Sequence, residues 1–211
     1  MKSKEAVKSP LRGLIGGPWL VLGMLLLSGV GLLLAVLKRQ RSLKNPPETV
    51  AEVDLAKYAG LWYEIARLPS FFQKDCAGTT ALYEYRENGT LSVRNHCFVG
   101  TLDGPERETR GRAWAPDPEQ PARLQVRLGF WPFPSDYWII LLGPKYRYAV
   151  VGTPDRRHLW ILSREPEMDA HLYQDIIARV ELVGFNTEHL VDTLQPLEGG
   201  PAEMVAQDED E

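Results

Sequence analysis

The sequence has only two cysteines, four histidines and four methionines in 211 residues, which excludes much chemistry. His96, His158, His171 and His189 are scattered, with no i,i+4 pair and no HExxH motif, so no zinc site assembles from sequence neighbours. A phosphate-cradling glycine loop, a serine nucleophile motif and a persuasive carboxylate dyad are also missing. Positive charge is scarce over most of the chain. Residues 45–211 hold 16 basic and 27 acidic side chains, a net charge of −11, which would repel nucleic-acid phosphates and serves solubility. No internal repeat or low-complexity tract occurs. The expectation is a binding protein without metal or cofactor, not an enzyme.

Charge is also missing from Leu14–Leu37, "LIGGPWLVLGMLLLSGVGLLLAVL", 24 residues in all. As a helix rising about 1.5 Å per residue this run would measure roughly 36 Å, enough to cross a hydrocarbon core of about 30 Å. It exceeds the usual h-region of a cleaved signal, lacks a small-x-small cleavage site, and is followed at once by the basic "KRQR". An uncleaved membrane anchor is expected, with a long cleaved signal peptide as the alternative. Both flanks are basic, so charge does not fix the orientation. The expected organisation is a basic flank (1–13), the transmembrane segment (14–37), a linker (38–53) containing "NPPE", a folded domain (54–195) and an acidic disordered tail (196–211).

Within the domain, short apolar stretches alternate with turn residues, as in an all-β barrel or sandwich. Strands are predicted at 61–68, 79–86, 90–98, 108–115, 122–130, 137–142, 148–153 and 159–163, with Asn88-Gly89 turning the second hairpin. In 122–130, Leu124, Val126, Leu128 and Phe130 share one face and Arg123, Gln125 and Arg127 the other. One helix is predicted from Asp169 to Val183, with Leu172, Ile176, Val180 and Val183 at helical spacing, Pro166 before it and Gly184 after it. A short strand at 189–194 could follow. Eight strands in up-and-down order with one external C-terminal helix suggest a closed antiparallel barrel, which removes exposed edges.

Three motifs carry a family resemblance. "YAGLWYEIARLPSFFQK" (58–74) contains Gly60-x-Trp62, "SDYWIILL" (135–142) contains Ser135-Asp136-Tyr137, and "LWILSR" (159–164) ends in Arg164. Together they resemble the lipocalin signatures, in the group of bacterial outer-membrane lipocalins and apolipoprotein D, over about residues 52–195. The resemblance implies that Trp62 plugs the closed end, that Arg164 packs across its face as a cation–π pair, and that Gly60 lets the backbone turn into the first strand. It further implies an inward-facing Tyr83 and an Asn95 that orients a polar head group, with Trp114 and Ile139 as weaker candidates. Glu64 is expected on the outer, solvated face. Bacterial relatives are usually lipoproteins with a cysteine at the cleavage site, and this sequence has none there.

The segment "GFWPFPSDYW" (129–138) packs five aromatics and two prolines into ten residues. In an up-and-down barrel it joins the fifth and sixth strands at the open end. Trp131 and Phe133 would then rim the mouth, and Tyr137 and Trp138 would begin the next strand. The expected ligand set is Tyr83, Asn95, Trp114, Leu124, Val126, Leu128, Phe130, Trp131, Phe133, Tyr137 and Ile139.

Cys76 and Cys97 are expected near one end of the barrel. Pairing about Asn88-Gly89 sets Cys97 opposite residue 80, and a straight strand would separate the cysteines by about 13 Å. A disulfide therefore requires the chain before Thr79 to fold back over the mouth, and would indicate an oxidising compartment. The alternative, also known in the family, is a free Cys76 acting as a nucleophile in isomerase or peroxide chemistry. The principal reading is a membrane-tethered lipocalin that binds, stores or transports a fatty acid or lysophospholipid. It would be extracytoplasmic (the bacterial periplasm, inner or outer membrane left open), with a homodimer among the partners the family implies. A barrel without a cavity, serving as an interaction module, is the third reading.

Overall fold

A computed structural model describes residues 45–129 and 132–196. The anchor (14–37), Phe130, Trp131 and the tail beyond Pro196 lie outside the described residues.

A one-turn helix, α1 (Leu55–Tyr58), precedes eight antiparallel strands: β1 (Gly60–Arg67), β2 (Cys76–Tyr85), β3 (Leu91–Val99), β4 (Glu106–Trp114), β5 (Arg123–Leu128), β6 (Ser135–Leu142), β7 (Tyr148–Gly152) and β8 (Leu159–Ser163). Each pairs with the next, β8 pairs with β1, and β1 pairs with β2, so the sheet closes on itself. Helix α2 (Ala170–Leu182) and a two-residue strand, β9 (Val191–Asp192), follow. Asp169 caps α2 by accepting from the Leu172 amide at 2.9 Å, which satisfies one of the orphan donors of the first turn.

Period-2 alternation divides the strands between two cores. One cluster fills the barrel and includes Trp62, Leu91, Leu124, Ile139 and Val151. The other lies outside, where Ile140, Val150, Leu159 and Ile161 meet Ile176 and Val180 of α2. This explains why β6, β7 and β8 read as apolar on both faces.

The seam between β1 and β2 closes only in part by their own pairing. The two pair over Gly60–Tyr63, whereas Ala66 and Arg67 pair with Asp192 and Val191 of β9. The C-terminal segment fills the opening: Gly78 N–H donates to Leu194 O at 2.9 Å, and Thr193 N–H to Ile65 O at 2.9 Å.

Two expectations change here. Residues 45–53 are not a free linker, because Pro47 is buried, Val50 N–H donates to Ile139 O at 3.0 Å, and Val50 and Val53 pack on the barrel core. The cysteine geometry also differs. The hairpin register sets Thr80 against His96, one residue from the expected alignment, and then shifts again between Ala77 and Thr80. Gly78 sits at φ +56° in this bulge, and a Cβ there would come within 2.8 Å of the Phe98 ring. The two slips bring Cys76 opposite Val99 and next to Cys97, so a disulfide forms within the sheet, with a Cα separation of 5.5 Å and no folded-back chain. The free-thiol role for Cys76 is corrected accordingly.

Reducing this bond, or replacing both cysteines with serine, is expected to cost about 3 kcal/mol, as the chain-entropy model gives for a link of this span. Urea denaturation with and without reductant checks it, and coincident curves would contradict it.

Candidate ligand-binding site

The closed end is built around Trp62, which is fully buried. Its indole N–H donates to Tyr58 O at 2.8 Å, and Arg164 Cζ lies 3.8 Å from its ring centre. Arg164 also gathers backbone carbonyls: Nη1 donates to Leu61 O at 2.7 Å, and Nη2 to Lys57 O, Tyr58 O and Ala59 O at 2.9 to 3.1 Å. One guanidinium thereby ties α1, the start of β1 and the end of β8 together. Gly60 adopts φ +99°, a conformation open to glycine, and a Cβ there would press within 3.1 Å of Arg164 Nη1.

Above this seal, three tyrosine hydroxyls meet inside the barrel. Tyr137 Oη lies 2.8 Å from Tyr58 Oη and accepts from Tyr83 Oη at 2.9 Å. Burial pushes Tyr83 up to about 12 and holds Tyr58 and Tyr137 well above the ordinary phenol value, so all three stay protonated at neutral pH. Tyr83 and Tyr137 line the inner part of a cavity of about 630 Å³. Its wall includes Val93, Asn95, Thr109, Val126 and Leu128 on the β3–β5 side, and Trp160 and Leu162 of β8 opposite. The cavity reaches solvent beside Phe71, Phe72 and Phe133, which are 86%, 46% and 68% exposed.

Part of the wall is polar. Glu64, 1% exposed, lines the cavity and accepts from Arg67 Nη1 at 2.8 Å, Thr193 Oγ1 at 2.6 Å and Gln73 Nε2 at 3.0 Å. Burial raises the Glu64 carboxyl, against the opposing pull of Thr193, Arg67 and Gln73. Gln73 Oε1 accepts from the Trp160 indole at 2.9 Å, His158 stacks on Trp160 at 5.8 Å, and the Phe72 ring lies tilted to His158 at 5.8 Å. Burial lowers the His158 imidazole from its ordinary value, against the opposing pull of Asp155. Thr79 and Asn95 line the cavity, and Thr79 Oγ1 and Asn95 Oδ1 are buried without a hydrogen-bond partner among the described residues. Arg107 Nη2 reaches Cys76 Sγ at 2.8 Å near the mouth.

Of the expected ligand set, the structure brings Tyr83, Asn95, Val126, Leu128, Phe133 and Tyr137 to the cavity wall. Leu124 and Ile139 point inward but are fully buried in the sealed core with Trp62, because alternation specifies a face and not a depth. Trp114 stands on the outer face: Ala113, paired with Val126, takes the inward position, and Arg112 lies 4.9 Å over the Trp114 ring. Asp136 lies at the mouth, with its carboxyl raised by partial burial and by Asp155. Glu64 is corrected from the outer face to the interior, since it shares a side of β1 with Trp62, two residues away.

Sequence reasoning missed Phe71, Phe72, Gln73, His158 and Trp160. Adjacent aromatics in "PSFFQK" held the same signal as the later aromatic loop.

These motifs and this closed sheet agree with a match of residues 53–195 to the Lipocalin-like domain. The chain is a lipocalin. It is 35% identical over 155 residues to outer membrane lipoprotein Blc of Escherichia coli (strain K12), covering 72% of this chain and 86% of that one. Temperature-induced lipocalin-1 of Arabidopsis thaliana is 33% identical over 160 residues, covering 72% and 84%. Apolipoprotein D of Mus musculus is 34% identical over 134 residues, covering 58% and 67%. Among solved structures, lobster apocrustacyanin A1 superposes with a TM-score of 0.57 at 16% identity, covering 75% of this chain and 94% of that one. Insecticyanin of the tobacco hornworm Manduca sexta gives 0.56 at 20%, covering 70% and 83%. At those identities the solved structures support the fold alone. Family membership is consistent with binding a small hydrophobic ligand in the cavity.

Proposed function

We propose that this lipocalin binds and carries a lipid, a fatty acid or lysophospholipid, and that Leu14–Leu37 tethers it to a membrane on the extracytoplasmic side. The observation that carries the reading is the cavity: about 630 Å³, lined largely by apolar side chains, open at one end beside three phenylalanines. That volume lies in the usual range for small-molecule sites, about 300–1,000 Å³. Each methylene of an acyl chain buried there gains about 0.8 kcal/mol. The Cys76–Cys97 bond favours an oxidising compartment, and tethering keeps the cavity at high effective concentration near its lipid supply. The open cavity favours this reading over an interaction module with a solid barrel.

Mass spectrometry of the detergent-purified chain is expected to find co-purified lipid. Val126→Trp, which pushes an indole into the cavity, is expected to weaken binding of a fluorescent fatty acid about tenfold, or ~1.4 kcal/mol, without loss of the β-sheet signal. Absence of lipid together with no uptake from vesicles would end the reading.

A further inference from the structure

The cavity wall is layered along its axis. Alternate residues of β4 face inward, and pairing with β3 sets them in tiers. Ala113 stands opposite Leu91 and Gly111 opposite Val93 in the lower part, Thr109 stands opposite Asn95 above them, and Arg107 stands opposite Cys97 nearest the mouth. Strand β5 adds Val126 beside Ala113 and Leu128 beside Gly111. From the tyrosines upward, the lining on this side passes from aliphatic groups through an amide and a hydroxyl to a guanidinium. The rise from Gly111 to Arg107 is about 13 Å, four steps along a strand.

Arg107 is the one lysine or arginine on the cavity wall among the described residues. Its charge is not spent on a carboxylate there. The neighbouring acids of β4 are engaged on the other face of the strand, Glu106 with His96 and Glu108 with Arg110. The guanidinium instead rests on the disulfide, with Nη2 at 2.8 Å from Cys76 Sγ and 3.6 Å from Cys97 Sγ. Sulfur is a weak acceptor, and these contacts use one nitrogen of a group that carries five N–H donors.

The carboxylates of the wall stand elsewhere. Glu64 of β1 is matched by Arg67 at 2.8 Å, and Asp136 opens β6, two strands away from β4. An anionic group in the mouth is therefore repelled from the β6 side and drawn to Arg107. The planar fork of a guanidinium fits a carboxylate or a phosphate through paired, charge-assisted N–H bonds. The aliphatic tiers beneath it suit an acyl chain.

We propose that Arg107 is the anion receptor of the cavity. The guest lies tail inward, its chain against Val93, Val126 and Leu128 and its carboxylate or phosphate on the Arg107 guanidinium at the mouth. The cavity then selects anionic single-chain lipids over neutral ones of the same chain length. This rests on the lipid-binding reading and adds to it the head-group chemistry and the direction of the chain.

The test uses the full chain reconstituted into phosphatidylcholine vesicles, titrated at pH 8.5 with three anthroyloxy-labelled probes of one chain length: a fatty acid, its methyl ester and the matching lysophosphatidic acid. Protein-free vesicles give the background. Wild type is expected to bind an anionic probe about fivefold more tightly than the ester, and Arg107→Gln to abolish that gap by weakening the anion and leaving the ester unchanged. Arg107 is exposed, so the change opens no core, and thiol titration confirms that the Cys76–Cys97 bond persists. Arg107→Lys should retain part of the gap. Arg127→Gln, the same loss of charge at an exposed position on the outer face of β5, should retain all of it. A gap confined to the fatty acid assigns the site to a carboxylate, one confined to the lysophosphatidic acid to a phosphate, and one shared by both to either anion. Equal binding of acid and ester by wild type, or an Arg107→Gln variant that weakens the ester as much as the anions, would overturn the assignment and leave the lipid-binding reading standing. Binding of none of the probes would remove that reading and the receptor with it.

Discussion

Glu64→Ala is expected to destabilise the barrel by about 3–5 kcal/mol, the usual cost of breaking a buried ion pair from one side. The substitution leaves the Arg67 guanidinium, also buried, with Gln73 O at 2.8 Å and Thr193 Oγ1 at 3.1 Å but no counter-charge. It also removes the group on which β9 and the β1–β2 loop converge, because Thr193 and Gln73 both donate to that carboxylate. The opposite substitution, Arg67→Met, is expected to behave differently with pH. Glu64 can take up a proton when its partner is lost, whereas an arginine cannot shed one.

The sign follows from burial. Glu64 already has a raised folded-state pKa, and losing Arg67 raises it further. A carboxyl raised in the folded state contributes stability that is fully present below its unfolded value, near 4.5, and is lost as pH rises through the folded value. The deficit of Arg67→Met should therefore shrink between pH 7.5 and pH 5, while that of Glu64→Ala should not. Urea denaturation of both variants at the two pH values checks this, and parallel pH profiles would refute the assignment. Replacing both residues together with leucine and methionine is expected to cost far less than Glu64→Ala alone, since the pair's own desolvation nearly cancels its attraction.

Trp62→Ala is the second large effect, about 3–5 kcal/mol from truncating a fully buried indole that the surrounding sheet cannot collapse to replace. A further ~0.5–2 kcal/mol belongs to the cation–π contact with Arg164. The loss should also unseal the closed end, so bound lipid should dissociate faster. Trp62→Phe keeps a ring beneath Arg164 but loses the donor to Tyr58 O, and should fall between wild type and alanine. Equilibrium unfolding and ligand off-rates measure both effects. A loss below about 1 kcal/mol would mean that the five carbonyls held by Arg164 carry the seal without the indole.

Local pattern made much of this legible. Leu124, Val126 and Leu128 alternate with charged and polar residues because one face of β5 is dry, and their inward direction could be read without coordinates. The helix was readable from Ile176 and Val180 at one helical turn, and the structure adds Asp169 as its cap. Glu64 was equally readable, since once Trp62 is placed inside, the pleat places Glu64 inside as well. Its charge led to the wrong face, because a buried carboxylate is rare unless paired; its ion-pair partner Arg67 is only three residues away, but Thr193, which also holds it, is 129 residues away.

What the sequence alone determined about this protein was its periodicity: which segments are strands, which side of each is apolar, and the motifs that place it among the lipocalins. Only the tertiary structure decided depth and register. It put Leu124 and Ile139 below the tyrosine floor while Val126 and Leu128 stay on the cavity wall, and it turned a two-step slip at the β2–β3 pairing into a disulfide. The physical reason is that alternation repeats identically along a strand, so it carries direction without height. Height and register come from long-range closure of the sheet, to which every other strand contributes.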